Sequence, residues 1–270
     1  MTHWYLKDGS ASHQILGANK KLRDVTLRDA RKLNLFPSTT GITQTMAAPG
    51  LIRWQVNQAI KATMRVLGVF DASVATPKFD PAADLKSFED RCLYESQTIA
   101  REARDKGQAI HDAVQHYIDG DLHLVPVEHL PHCEGAVAKL VEQFGPMETS
   151  AWITEESFAC KEGYGGRSDL GSRFLNALGD FKCKEFGPDD KQPDCYDEHT
   201  MQLASYNNGL GYEDDPEHGP LTNFNLFIST SHPGHCHMVI HPPEDIQFGL
   251  DLFMACLKVW QVKNNYRPEW

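Results

Sequence analysis

The stretch GGRSDLGSRFLNALGDFKCK, residues 165 to 184, carries Asp169, Asp180 and Lys182 at a spacing that suits metal-assisted phosphodiester hydrolysis. Near neutral pH that reaction needs charge stabilised on the phosphate and a water sharpened into a nucleophile, and one or two divalent cations supply both. Mg2+ and Mn2+ prefer carboxylate oxygens, so two aspartates close in space are the least a protein must contribute. Alternating side-chain character predicts strands on either side of Asn176, and a hairpin would bring Asp169 and Asp180 side by side at the sheet end. Lys182 follows Asp180 by two residues, so both side chains leave one strand face and the ammonium would sit beside a metal-bound water. Alternating Asp and Lys also describes an ordinary solvated strand. Leu178, Gly179 and Phe181 argue instead for an interior strand, where an unpaired Asp is costly.

Positioning these residues requires a sheet and flanking helices. Periodicity predicts a short strand around His3 to Leu6, a helix capped by Thr26, a helix from about Pro49 to Leu67, and a long helix from about Pro81 that breaks at Gly107. A further helix reaches Gly120 through Ile110, Val114, Tyr117 and Ile118, and another spans Pro131 to Phe144. The period then changes. Three antiparallel strands are expected at 151–160, 165–175 and 177–186, a helix at 197–210, strands at 223–231 and 236–241, and a closing helix at 243–264. This is a mixed α/β core with a mainly helical N-terminal half. The expected division is an N-terminal strand and basic-helix extension, 1–48, and a main domain, 49–270, with a helical part to 149 and the α/β core that carries Asp169 and Asp180 from 150, the whole forming one compact unit.

The formal charge of −11 opposes phosphate binding, but ten acidic residues against Lys191 alone between Glu185 and Glu217 account for −9 of it. The remaining chain is close to neutral. Lys20, Lys21, Arg23, Arg28, Arg31 and Lys32 form the most basic segment, either a solvated helix face or a phosphate-contacting arm. The start MTHWYLKDGS has neither a basic n-region nor an apolar h-region, and no run of about 18 apolar residues occurs, so a cytoplasmic protein with no membrane partner is expected. The seven cysteines are scattered, with no C-x-x-C pair, as reduced thiols would be. His232, His235, His237 and His241 crowd Cys236 as a zinc site might require, but no second ligand pair accompanies them.

Gly107-Gln108-Ala109-Ile110-His111, Gly166-Arg167-Ser168-Asp169, Asp180-Phe181-Lys182 and Gln202-Leu203-Ala204-Ser205-Tyr206 occur in that order. They resemble the G-x-x-x-H, G-x-x-D, D-x-K and Q-x-x-x-Y motifs of the PD-(D/E)XK nuclease superfamily, in its RecB-like and phage exonuclease branch. Pro37-Ser38-Thr39-Thr40 and the helix start at Leu51 to Trp54 look similar to the N-terminal region of phage members. The resemblance implies a restriction-endonuclease-like core in which His111, Asp169, Asp180 and the Phe181 main-chain carbonyl bind Mg2+ or Mn2+, with a strand glutamate, Glu155 or Glu156, as a further ligand; Glu156 is favoured because it shares the parity of Thr154 and Phe158. Lys182 would activate the water, while Gln202 and Tyr206 would brace the site and meet the substrate strand. Ser38, Arg28, Arg31, Arg53 and Arg167 are the expected nucleic-acid contacts. Relatives with an iron–sulfur cluster carry a tight late cysteine group, whereas only Cys236 and Cys256 lie late here, so no cluster is expected. The implied activity is a DNA exonuclease of phage recombination or genome-maintenance type, acting on linear duplex or single strands beside a single-strand-annealing or other recombination protein. A structure-specific or single-strand endonuclease, or a non-cleaving binder of this fold, are the alternatives.

Overall fold

The protein is described by a computed structural model over residues 3–46, 49–67, 85–146, 149–190 and 192–270. A five-stranded mixed sheet, ordered β5-β6-β7-β8-β9, is its central layer: β5 Ile153–Cys160, β6 Tyr164–Ser172, β7 Ala177–Lys184, β8 Thr222–Ser229 and β9 Cys236–His241. The first three strands form an antiparallel meander because tight turns join them. Gly163 supplies the left-handed φ of +96° between β5 and β6. Asn176 takes φ +42° between β6 and β7, its amide donating to the carbonyls of Glu213 and Gly219. The connection from β7 to β8 runs through helix α6, Asp197–Leu210, and these two strands are parallel, as a helical crossover allows.

Strand period two splits the apolar residues between two cores. Leu178, Phe158 and Tyr164 pack with Met201, Leu203 and Tyr206 of α6 and with Phe253, Cys256, Leu257 and Trp260 of α7, Pro243–Asn264. Leu170, Ala177, Phe181, Phe224, Leu226 and Ile228 pack on the other face against Ile110, Ala113, Val114 and Ile118 of α4, Leu85–Asp119, and against α5, Leu130–Phe144. The sheet is thus covered on both sides.

The N-terminal strands β1, Trp4–Tyr5, and β4, Phe36–Pro37, pair with each other, and Ser38 bridges to Gly165 of β6. Between them lie the hairpin β2, Gln14–Leu16, with β3, Leu22–Asp24, and the helices α1, Leu27–Leu33, and α2, Thr39–Thr43. Thr26 and Asp29 cap α1 reciprocally, and Arg23 holds the Asp29 carboxylate with both terminal nitrogens, at 2.7 and 2.9 Å. Residues 1–46 and 110–270 make one compact unit, whereas 47–109 make another, carrying α3, Pro49–Val66, and the first part of α4. The expected boundary lay at residue 48; β1 and β4 form a two-stranded sheet of their own, and Ser38 bridges to Gly165 of the central sheet.

Two sequence expectations change. Helix α4 runs unbroken through Gly107, since one internal glycine costs about 1 kcal/mol, too little to end a long helix. Its expected start at Pro81 lies outside the described residues. The hairpin β2–β3 was not foreseen, as its strands are three residues each and mostly exposed. Among the described residues no helix is long and apolar enough to cross a membrane.

Candidate functional site

The antiparallel register places Leu170 opposite Gly179, and the pairing between β6 and β7 stops there. One step further on, Asp169 and Asp180 face each other where the strands part. In place of a ladder bond, the Phe181 N–H donates to Asp169 Oδ2 at 2.7 Å. The buried face of α4 delivers His111 to the same opening, with Nε2 3.3 Å from Asp169 Oδ1 and its ring edge-on to Phe181. On the other side α6 presents Gln202 and Tyr206 one turn apart.

His111, Glu155 and Asp169 each offer a ligand atom, and these atoms lie within 4.8 Å of one another. Among the described residues this is the one such group of three, so the histidines around Cys236 form no comparable cluster. Glu156, the expected strand ligand, points elsewhere: it contacts Arg173 at 3.5 Å and accepts from Tyr212 at 3.4 Å. The physical reason is register. Thr154 pairs with Leu170 and Glu156 with Ser168, which leaves Glu155, not Glu156, across from Asp169. The three-residue turn at 161–163, closed by Cys160 opposite Tyr164, sets this register. Glu155 also takes a left-handed φ of +55°, unusual for a side-chain-bearing residue inside a strand.

Asp180 is 1% exposed, outside the group of three, and its Oδ2 contacts both Lys182 Nζ and the Asn225 amide, the latter at 3.0 Å. Lys182 also donates to Gln202 Oε1 at 2.9 Å, and Gln202 Nε2 donates to the Tyr206 hydroxyl at 2.6 Å. For Phe181, the expected carbonyl ligand, the contact seen is its N–H on Asp169. Ser38 is buried, and its hydroxyl accepts the Gly41 N–H to cap α2, a sufficient account of its presence without nucleic acid. Arg167 is exposed and bonds Glu155, Arg28 is exposed on α1, and Arg31 donates to the Asn264 carbonyl. Arg53 is exposed on α3 in the other unit. Much of the 185–217 acidity serves backbone: Asp190, Asp214 and Asp215 accept main-chain N–H groups, and Asp197 and Glu198 occupy the first turn of α6.

The charges are strongly coupled. Burial raises Asp180, with the Lys182 charge opposing and the Asp169 charge adding, to about 6. Burial also works on Asp169, but the His111 hydrogen bond and charge, Lys182 and the Phe181 N–H together hold it below the usual carboxylate range. For His111 burial disfavours the cation, yet the Asp169 bond and the Asp169, Glu155 and Asp180 charges outweigh it and raise the pKa to about 9. Because this folded value lies above the ordinary 6.5, the stabilisation it brings is complete below pH 6.5 and is lost as pH rises through about 9. Metal-free protein is therefore expected to lose on the order of 1–3 kcal/mol between those pH values relative to His111→Gln. Parallel urea-stability profiles for the two proteins would contradict the assignment.

One imidazole nitrogen and two carboxylates form a donor set suited to Mn2+ or Mg2+. The left-handed Glu155 fits that use, since the strain persists at the residue whose carboxylate completes the group. A side chain there costs about 1–2 kcal/mol, and glycine within a strand costs roughly 0.5–1 kcal/mol, so Glu155→Gly should be nearly neutral for stability. Its Mn2+ affinity should fall sharply. Calorimetry showing a large stability loss with unchanged Mn2+ binding would argue that Glu155 is structural.

No protein-family model matches the chain, and no curated protein matches it significantly. Two solved structures resemble it in part. One is a candidate exonuclease from Eubacterium rectale, 14% identical over 59% of this chain and 68% of that one, with a TM-score of 0.42. The other, SSO0001, is 15% identical over 79% of this chain and 87% of that one, with a TM-score of 0.33. At such identity and overlap neither likeness bears on chemistry, and the functional reading rests on the residues themselves.

Proposed function

We propose that this chain is a divalent-metal-dependent deoxyribonuclease with a PD-(D/E)XK core, acting as an exonuclease in phage recombination or genome maintenance. The observation that carries the reading is the convergence of His111, Glu155 and Asp169 beside the buried Asp180 and its partner Lys182. His111, Glu155 and Asp169 would hold Mg2+ or Mn2+, joined by Asp180 and the Phe181 carbonyl. When bound, the cation supplies a water of lowered pKa and draws charge from the phosphate.

The protein's own groups do the rest. An ammonium has three N–H donors, and Lys182 spends two on Asp180 and Gln202, leaving the third for the attacking water. Gln202 fixes the lysine by accepting from it while donating to Tyr206. Because the Tyr206 oxygen is already an acceptor and burial keeps the phenol neutral, its proton is available to the substrate strand. Arg167 and Arg28 are exposed cations for the backbone phosphates, and linear DNA in the cytoplasm, beside an annealing or other recombination protein, is the substrate this reading assigns.

Incubation with end-labelled linear duplex, single strands and covalently closed circles in Mg2+ or Mn2+ tests the proposal. Loss of linear DNA with circles intact is the expected result. Nicked circles would make the same residues an endonuclease, and binding without cleavage in either metal would refute an enzyme.

A further inference from the structure

A buried polar file crosses the sheet behind the site. Asp180 on β7 pairs with Asn225 on β8, and His241 on β9 is a diagonal neighbour of Asn225. Asn225 is 0% exposed and His241 is 7% exposed. Asn225 Nδ2 donates to Asp180 Oδ2 at 3.0 Å and approaches the Asp180 carbonyl at 3.4 Å, while His241 Nε2 lies 2.8 Å from Asn225 Oδ1. An amide oxygen can only accept, so the His241 proton must be on Nε2. The Asp180 carboxylate fixes which way the amide points, since flipped its oxygen would face the carboxylate, and the amide in turn sets the His241 tautomer.

The consequence falls on Asp180. Lys182 and Asn225 both approach the same oxygen, Oδ2. Two donors on one oxygen stop the carboxylate from rotating and keep the other oxygen available. Ordinary packing does not require this, since Phe224, Leu226 and Ile228 show that apolar residues suit this strand and a buried amide is costly without partners. We propose that Asn225, itself anchored by its bond to His241, is a positioning residue that holds Asp180 with Oδ1 turned to a divalent cation. The cation rests on the nuclease reading above; the positioning role is additional to it.

The test is calorimetric titration of the whole protein with Mn2+ in the absence of DNA. Asn225→Leu and His241→Leu are expected to weaken Mn2+ binding by about tenfold or more, as loss of a group that orients a ligand does elsewhere. His241→Gln, whose amide N–H can reach where imidazole Nε2 stands, is expected to restore affinity to near wild type. Rescue by glutamine is the result a merely space-filling histidine would not give. If Asn225→Leu fails to fold, the two His241 variants decide the matter. Folded leucine variants with wild-type Mn2+ affinity, or a glutamine variant as weak as His241→Leu, overturn the positioning role and leave the nuclease reading standing. Wild-type protein that takes up no Mn2+ overturns both.

Discussion

Asp180→Asn is expected to reduce cleavage by at least about a thousandfold with little change in thermal stability. Metal-assisted stabilisation of a phosphoryl transition state is worth several kcal/mol, and about 1.4 kcal/mol is tenfold in rate. Asparagine keeps the size of the side chain and an oxygen for the Asn225 amide, so packing between β7 and β8 survives. Lys182 loses its carboxylate but, at 22% exposure and with Gln202 still accepting, it is not stranded without partners. Relieving the burial that raises Asp180 to about 6 offsets part of the lost ion pair. Single-turnover rates on an end-labelled duplex, together with thermal unfolding, give both readouts. Activity within tenfold of wild type would remove Asp180 from the site.

Gly249→Val is expected to be strongly destabilising although it lies outside the site. Gly249 lies on α7 where it crosses α6, and a Cβ there would stand 2.6 Å from the Thr200 carbonyl carbon and 2.7 Å from its oxygen. These are backbone atoms, which no rotamer change can move. Helix propensity alone would favour valine over glycine by only about 0.4 kcal/mol. The overlap must overcome that, and forcing α6 and α7 apart is expected to cost about 3 kcal/mol net. Such a loss lowers Tm by roughly 6–12 °C in a chain of this size. Thr200 is two residues before Gln202, so a shift of α6 also displaces the brace on Lys182, and activity should fall further than stability accounts for. A Tm within about 2 °C of wild type would show that the two helices are not packed at this distance.

The sheet and its helices were readable because each announces itself locally. Alternation around Gly163 and Asn176 marks the meander, and the helix at 197–210 and strand at 236–241 coincide with the observed elements. What the chain did not reveal is whatever depends on register or on distant pairing. Parity with Thr154 and Phe158 favoured Glu156, whereas the cross-strand partner of Asp169 is Glu155, a distinction visible only once Cys160 is paired with Tyr164. Asn225 and His241 look like unrelated residues of two apolar strands until β8 is laid parallel to β7. Gly107 does not end α4, because one weak helix former is too little to interrupt a long helix. The basic N-terminal segment is partly explained without a ligand, since Arg23 secures Asp29 and Arg31 reaches the end of α7.

The central claim is that His111, Glu155 and Asp169 hold a catalytic divalent cation. Pulsed electron paramagnetic resonance on protein loaded with one equivalent of Mn2+ tests it most directly, because a bound imidazole nitrogen leaves its own modulation on the manganese signal. Bound Mn2+ is expected to show a nitrogen coupling that disappears in His111→Ala, and its signal is expected to revert to that of the free aqueous ion in Asp169→Asn. Mn2+ that stays free in the wild-type protein, or bound Mn2+ whose spectrum is the same in all three proteins, would contradict it.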